Sequence, residues 1–262
     1  MSDTVLLNIV LSCELTKSSE TKQLYFKSPP STPLAIKKRI EEDLSIPSCV
    51  QTLRYQSVIL KDSDELQHTH FRSGDTFTVN YPTKGNCEMV KSVIQWLRDI
   101  LELFQAIEEV DSLPDKEKDP LLSTHLRKTE DLILSGERNG TLFDLCNNLF
   151  CPWKDKRTYV NQLHFHHEGG LDVLMKVYGL LVSKDWGDFG IDSESHLHLE
   201  RHCVDAITNY TQTSPLCRQV IQLGGLEMCL KTLLRKKVGR SEIYHGSLIQ
   251  TVIESALYAV CK

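Results

Sequence analysis

Two Gly-Gly pairs, Gly169-Gly170 and Gly224-Gly225, constrain this chain more than any other feature, because each one punctuates apolar runs of helical spacing. Between Leu199 and Leu234, one run (Val204, Ile207, Tyr210) ends in the polar break Thr211 to Pro215. A second run (Leu216, Val220, Ile221, Leu223) follows, and after the glycines comes a third (Leu226, Met228, Leu230, Leu233, Leu234). Apolar residues three and four apart mark one buried face per helix, and glycine turns the chain tightly between packed helices. The order recurs upstream as LFDLCNNLF, a break, then YVNQLHFHHEGGLDVLMKVYGLL, and it starts again at Ile249 to Cys261. Such self-similarity predicts stacked helical units. The glycine pairs lie 55 residues apart, longer than the roughly 40 to 47 of common two- and three-helix repeats. The acidic, Gly-containing stretch Lys184 to Ser195 therefore reads as an insertion.

The segment AITNYTQTSPLCRQVIQLGGLEMCL resembles the armadillo repeat, in which a helix ending in Asn-hydrophobic precedes a break and a new helix ending in Gly. The likeness spans Ser92 to Lys262. It implies a groove in which an Asn of each third helix clamps an extended peptide, and the matching residues are Asn148 and Asn209. Where that family has Trp four residues earlier, this chain has Asp144 and Asp205, and Ala259 stands at the Asn position of the last helix. Paired carboxylates beside an amide that both donates and accepts favour a basic extended peptide. The bland alternative is that both Asn satisfy neighbouring backbone. In the insertion, Trp186 and Phe189 are candidate docking anchors, or they fold back on its base.

The chain opens differently. Val5, Leu7, Ile9 and Leu11 alternate with Leu6, Asn8 and Val10, and LYF after the turn at Thr16 to Thr21 pairs as a hairpin. Thr32 followed by Pro33 predicts a capped helix start. Leu34, Ile36, Ile40 and Leu44 form the helix's apolar stripe, with Lys37, Lys38, Arg39, Glu41 and Glu42 expected in water; Ile46-Pro47 closes the helix. TLRYQSVIL, ELQHTHF and DTFTVNY supply later strands and turns. This order, over Val5 to Tyr81, resembles the ubiquitin-like β-grasp, with Ile36, Ile40, Ile46, Leu53, Leu60, Leu66, Phe71, Phe77 and Val79 at core positions.

The resemblance implies a built-in module, since the chain runs on as Pro82-Thr83-Lys84-Gly85-Asn86 with no terminal Gly-Gly to conjugate. Ubiquitin's recognition patch needs two aliphatics on the sheet; Arg54 and Asn80 stand at the matching positions. Burying them against an apolar receptor would cost desolvation, so Arg54, with Lys37, Lys38 and Arg39 near, points either to a merely solvated face or to an acidic partner. A β-grasp is also the shape of Ras-binding domains, and a β-grasp ahead of armadillo repeats is similar to the layout of engulfment-and-motility scaffolds.

Between the two regions, Cys87 to Val110 has an apolar set wide enough to bury more than one side, Asp111 to Thr124 reads as a loop, and Leu126 to Leu134 as a helix ended by Ser135-Gly136. The expected class is α+β: a β-grasp domain over 1–83, then an all-α armadillo-like solenoid over 84–262. Within it, 87–135 would be capping helices and loop, and 140–262 the repeats, the last incomplete and able to associate through its open end.

A net charge of −5 over 262 residues, with 30 Lys and Arg against 35 Asp and Glu, argues against a dedicated nucleic-acid binder. The start MSDTVLLNIVLS reads as neither a signal peptide nor a membrane span. Nine cysteines without a CxxC pair read as reduced, mostly buried thiols of a cytoplasmic or nuclear protein. His164, His166, His167, His196, His198 and His202 have no HExxH pattern, so packing or solvation is the reading and zinc the alternative. No phosphate loop appears, and no cofactor or metal is expected. The expected function is that of a non-enzymatic adaptor binding protein partners. A small-GTPase-binding scaffold using the second strand is the alternative, with a metal-dependent enzyme third.

Overall fold

A computed structural model of the chain describes residues 4–66, 71–111, 115–141, 144, 149, 156–183, 193–211 and 214–234. It is α+β, an N-terminal five-stranded mixed sheet followed by helices, and it forms two compact units. The first holds residues 1–88 and 155–167; the second holds 89–154 and 168–262.

In the first unit the strands are β1 (Val5–Cys13), β2 (Ser19–Phe26), β3 (Thr52–Tyr55), β4 (Val58–Ile59) and β5 (Thr76–Tyr81), in spatial order β2-β1-β5-β3-β4. β1 runs parallel to β5 and antiparallel to β2, while β3 is antiparallel to both β5 and β4. This arrangement is compatible with a β-grasp. Alternation does the sorting: Val5, Leu7, Ile9 and Leu11 are buried while Leu6, Asn8 and Val10 turn outward. Helix α1 (Pro33–Leu44) seats Ile36 and Ile40 in the same core as Ile46, Leu53, Leu60, Leu66, Phe77 and Val79; Phe71 packs at its edge. Phe77 stacks on Tyr55 at 4.8 Å and meets Phe71 edge-on at 5.8 Å. The helix begins as its sequence dictates, with Thr32 Oγ1 accepting the Ala35 N–H at 3.3 Å and Pro33 in the first turn. Ser45 ends it in the left-handed region (φ 56°).

Two expectations for α1 are overturned. Leu34 is exposed, whereas Lys37 and Glu41 are buried. The reason lies outside the sheet: helix α4 (Lys156–His167) and the 3-10 turn Ser48–Val50 pack together in this unit, and their polar contacts take up Glu41.

The second unit contains α2 (Cys87–Asp111, from Met89 on), α3 (Asp115–Arg138), α5 (Gly170–Ser183), α6 (Ser193–Thr211), α7 (Ser214–Gln222) and α8 (Gly225–Leu234). α5 packs on α6 and α8, α7 on α6 and α8, and α3 on α6. α5 is buried on nearly all sides, through Leu171, Leu174, Met175, Val177, Tyr178, Leu181 and Val182. The second glycine pair turns the chain as expected. Gly224 takes φ 81°, and a Cβ on Gly225 would lie 2.5 Å from Val220 Cγ1 and 2.7 Å from the Val220 carbonyl oxygen.

The loop expected up to Thr124 and the helix end expected at Gly136 are both corrected. α3 is continuous from Asp115 to Arg138 with Pro120 inside it, and the Ser123 and Thr124 hydroxyls both donate to the Pro120 carbonyl. Gly136 is there for space, since a Cβ would meet the Trp96 ring at 2.6 Å. Trp96 Nε1 also donates to the Leu132 carbonyl at 3.2 Å. No described helix is long and apolar enough to cross a membrane. Of the described free cysteines only Cys49 is exposed.

Candidate functional site

The strand register places Arg54 and Asn80 on one surface. Arg54 pairs with Thr78 and Ile59, and Asn80 with Thr52 and Ser12, all on the face away from α1. One row across the sheet reads Ile59, Arg54, Thr78, Val10, Thr21; the next reads Thr52, Asn80, Ser12, Ser19. Hydroxyls, amides and a few aliphatics fill this face, and Arg54 is its one formal charge among the described residues. Among the described residues Arg54 forms no ion pair, and its buried Nε has no partner. Ile59, its partner across the strands, stands 55% exposed beside it, so the guanidinium has an apolar flank. Both Arg54 and Asn80 are half-buried. Lys37, expected near Arg54, instead sends its ammonium to Asp62 Oδ1 at 2.6 Å.

In the second unit, Asp205 and Asn209 lie one turn apart on α6, both half-buried. Burial pushes the Asp205 carboxyl up to about 6, against the opposing pull of Arg201, whose Nε is 3.9 Å away. Asp144 is half-buried. Asn148, Trp186, Phe189 and Ala259 lie outside the described residues, as does the side chain of His198 and the incomplete last repeat. The described open groove of this unit, about 440 Å³, is lined elsewhere, by Leu101 and Gln105 of α2, Asp172, Met175 and Gly179 of α5, and Met228 of α8. Neither Asp205 nor Asn209 lines it.

The most densely connected polar site in the first unit was not legible in the sequence. Glu41 is 2% exposed on α1, and His164, on α4, is fully buried. His164 Nε2 lies 3.2 Å from Glu41 Oε1; Glu41 Oε2 accepts the Ser48 N–H at 2.8 Å and sits 3.7 Å from Lys38 Nζ. Burial by itself would raise the Glu41 carboxyl, but His164 and the Ser48 N–H outweigh it and hold the group well below the usual carboxylate range. Gln51 Nε2 ties the Lys37 and Ile46 carbonyls at 2.9 and 2.7 Å, and Asn161 Oδ1 accepts the Asn86 N–H at 2.8 Å. The only sequence hint was that Lys37 and Glu41 share a flank of α1 one turn apart. The His164 that meets Glu41 lies more than a hundred residues later.

The chain matches no protein-family model and no curated protein.

Proposed function

We propose that this chain is a non-enzymatic protein-interaction adaptor: a ubiquitin-like β-grasp module that is not a conjugated modifier, followed by an armadillo-like helical region. The observation that carries the reading is the outer sheet face, where Arg54, its Nε without a partner among the described residues, stands among hydroxyls and amides with Ile59 at its flank. An isolated guanidinium at the centre of an uncharged, partly apolar surface suits a partner carboxylate, because binding desolvates one ion pair and little else. The helical order α6, α7, Gly-Gly, α8 supports the armadillo-like part, with Asp205 and Asn209 as its candidate peptide contacts.

A second reading, a small-GTPase-binding scaffold, is favoured by one feature. β2 is an edge strand with Ser19 to Gln23 exposed, open to strand addition by another protein. The two readings separate under mutation. Quantitative affinity capture with wild type and Arg54→Glu should lose acidic partners by tenfold or more in the variant. If Arg54→Glu leaves every captured partner in place, the sheet-face reading is wrong. If the lost partners prove to be nucleotide-loaded GTPases, the second reading replaces the first.

A further inference from the structure

We propose that the face of the first unit formed by α1 and the 48–50 turn is a helix-docking site that α4 occupies reversibly, and that a partner helix presenting a carboxamide and, one turn later, an imidazole or cationic side chain takes α4's place. This goes beyond the sheet-face reading and does not depend on it, since Arg54 lies on the opposite face.

The seat is polar to an extent the sheet core is not. Its lining includes Glu41, Ser48 and Gln51, each under 5% exposed, and α4 buries Thr158, Asn161, Gln162 and His164 alongside only two apolar side chains, Val160 and Phe165. Arg157, Tyr159 and His167 of the same helix remain exposed, so α4 shows water one side and the unit the other. Two contacts define the register. Asn161 receives the Asn86 N–H, and His164, three residues on and therefore on the same face, meets Glu41.

Physical reasoning makes this contact specific and separable at once. Replacing His164 while α4 stays seated would strand a buried carboxylate, which is costly. Lifting the whole helix returns both Glu41 and His164 to water, which repays their desolvation. The seated state also leaves both amide atoms of Gln162 and Gln51 Oε1 without a protein partner among the described residues. Each such group favours release, because water satisfies it outside. Polar seams of this kind resemble transient rather than permanent interfaces. The occupant's chemistry follows from complementarity: one Glu41 oxygen is already held by the Ser48 N–H, and the other faces the seat, where it accepts a donor or a cation.

The test uses the full chain and a labelled peptide of residues 155–168. His164→Glu sets a carboxylate against Glu41 and should expel α4, so this variant should bind the peptide in trans at least tenfold more tightly than wild type, whose own helix fills the seat. Peptide carrying the same His164→Glu change should not bind either protein. Equal binding to wild type and variant, or no saturable binding to a variant that keeps the wild-type β-sheet circular dichroism, would overturn the proposal. Should His164→Glu fail to fold, the pair Asn161→Ala and His164→Ala serves the same measurement, with the same two outcomes.

Discussion

Helix α1 has two flanks, and they are held in opposite ways. Toward the sheet, Ile36 and Ile40 are completely buried in a core made of aliphatic and aromatic side chains, with Leu7, Ile9, Leu53, Phe77 and Val79 around them. Toward α4, the buried side chains include Glu41, Ser48, Gln51, Asn161 and His164, held by hydrogen bonds and by the contact of His164 with Glu41. Apolar burial is non-directional and scales with area, so the first flank tolerates small shifts and resists opening. Buried polar groups demand fixed partners, so the second flank sets one geometry and gains little net free energy from it. The same twelve-residue helix is thus anchored on one side and keyed on the other.

Breaking the apolar flank should have the largest effect. Phe77→Ala removes the ring packed on Tyr55 and Phe71 and should destabilise the first unit by about 3 to 5 kcal/mol, read as a lower denaturation midpoint. Loss below about 1 kcal/mol would mean that the core is not where the strands place it.

The polar flank should respond less and in a pH-dependent manner. Glu41→Gln keeps an acceptor for the Ser48 N–H but loses the charge facing His164, and should cost about 1 to 3 kcal/mol at pH 7. The sign with pH follows from the depressed carboxyl. A group whose folded pKa lies below its unfolded value of 4.5 stabilises the fold above that pH. That contribution drains away as the pH falls through the folded value. The gap in melting temperature between wild type and Glu41→Gln should therefore narrow as the pH is lowered from 5 toward 3; a constant gap would show that Glu41 is not held ionised by its neighbours.

This contrast also explains what the sequence could show. The apolar flank was legible because its signal is local: alternation placed Leu7 and Ile9 inward, and the three-four spacing placed Ile36 and Ile40. Arg54 and Asn80 were singled out by the resemblance to ubiquitin, and the strand register puts them on one outward face. The polar flank was not legible. Lys37 and Glu41 carry charges that belong in water on any local criterion, and only distant partners, Asp62 for Lys37 and His164 of α4 for Glu41, meet them in the fold. Gly136 misled for a related reason. As a string it signals a stop, but in space it makes room for Trp96, forty residues earlier, and α3 runs on through it. Leu34 failed oppositely, since an apolar residue in the first turn of a helix can sit just beyond the edge of the core it was expected to join.

Hydrogen exchange followed by mass spectrometry across a series of sub-denaturing urea concentrations tests the two-flank account most directly. Amides of α4 (Lys156–His167) should exchange about 10²-fold faster than those of β1 and α1, through an opening that depends little on urea, because lifting one helix exposes little surface. If α4, α1 and β1 instead exchange with the same protection and the same urea dependence, α4 is part of a single cooperative core and the account is contradicted.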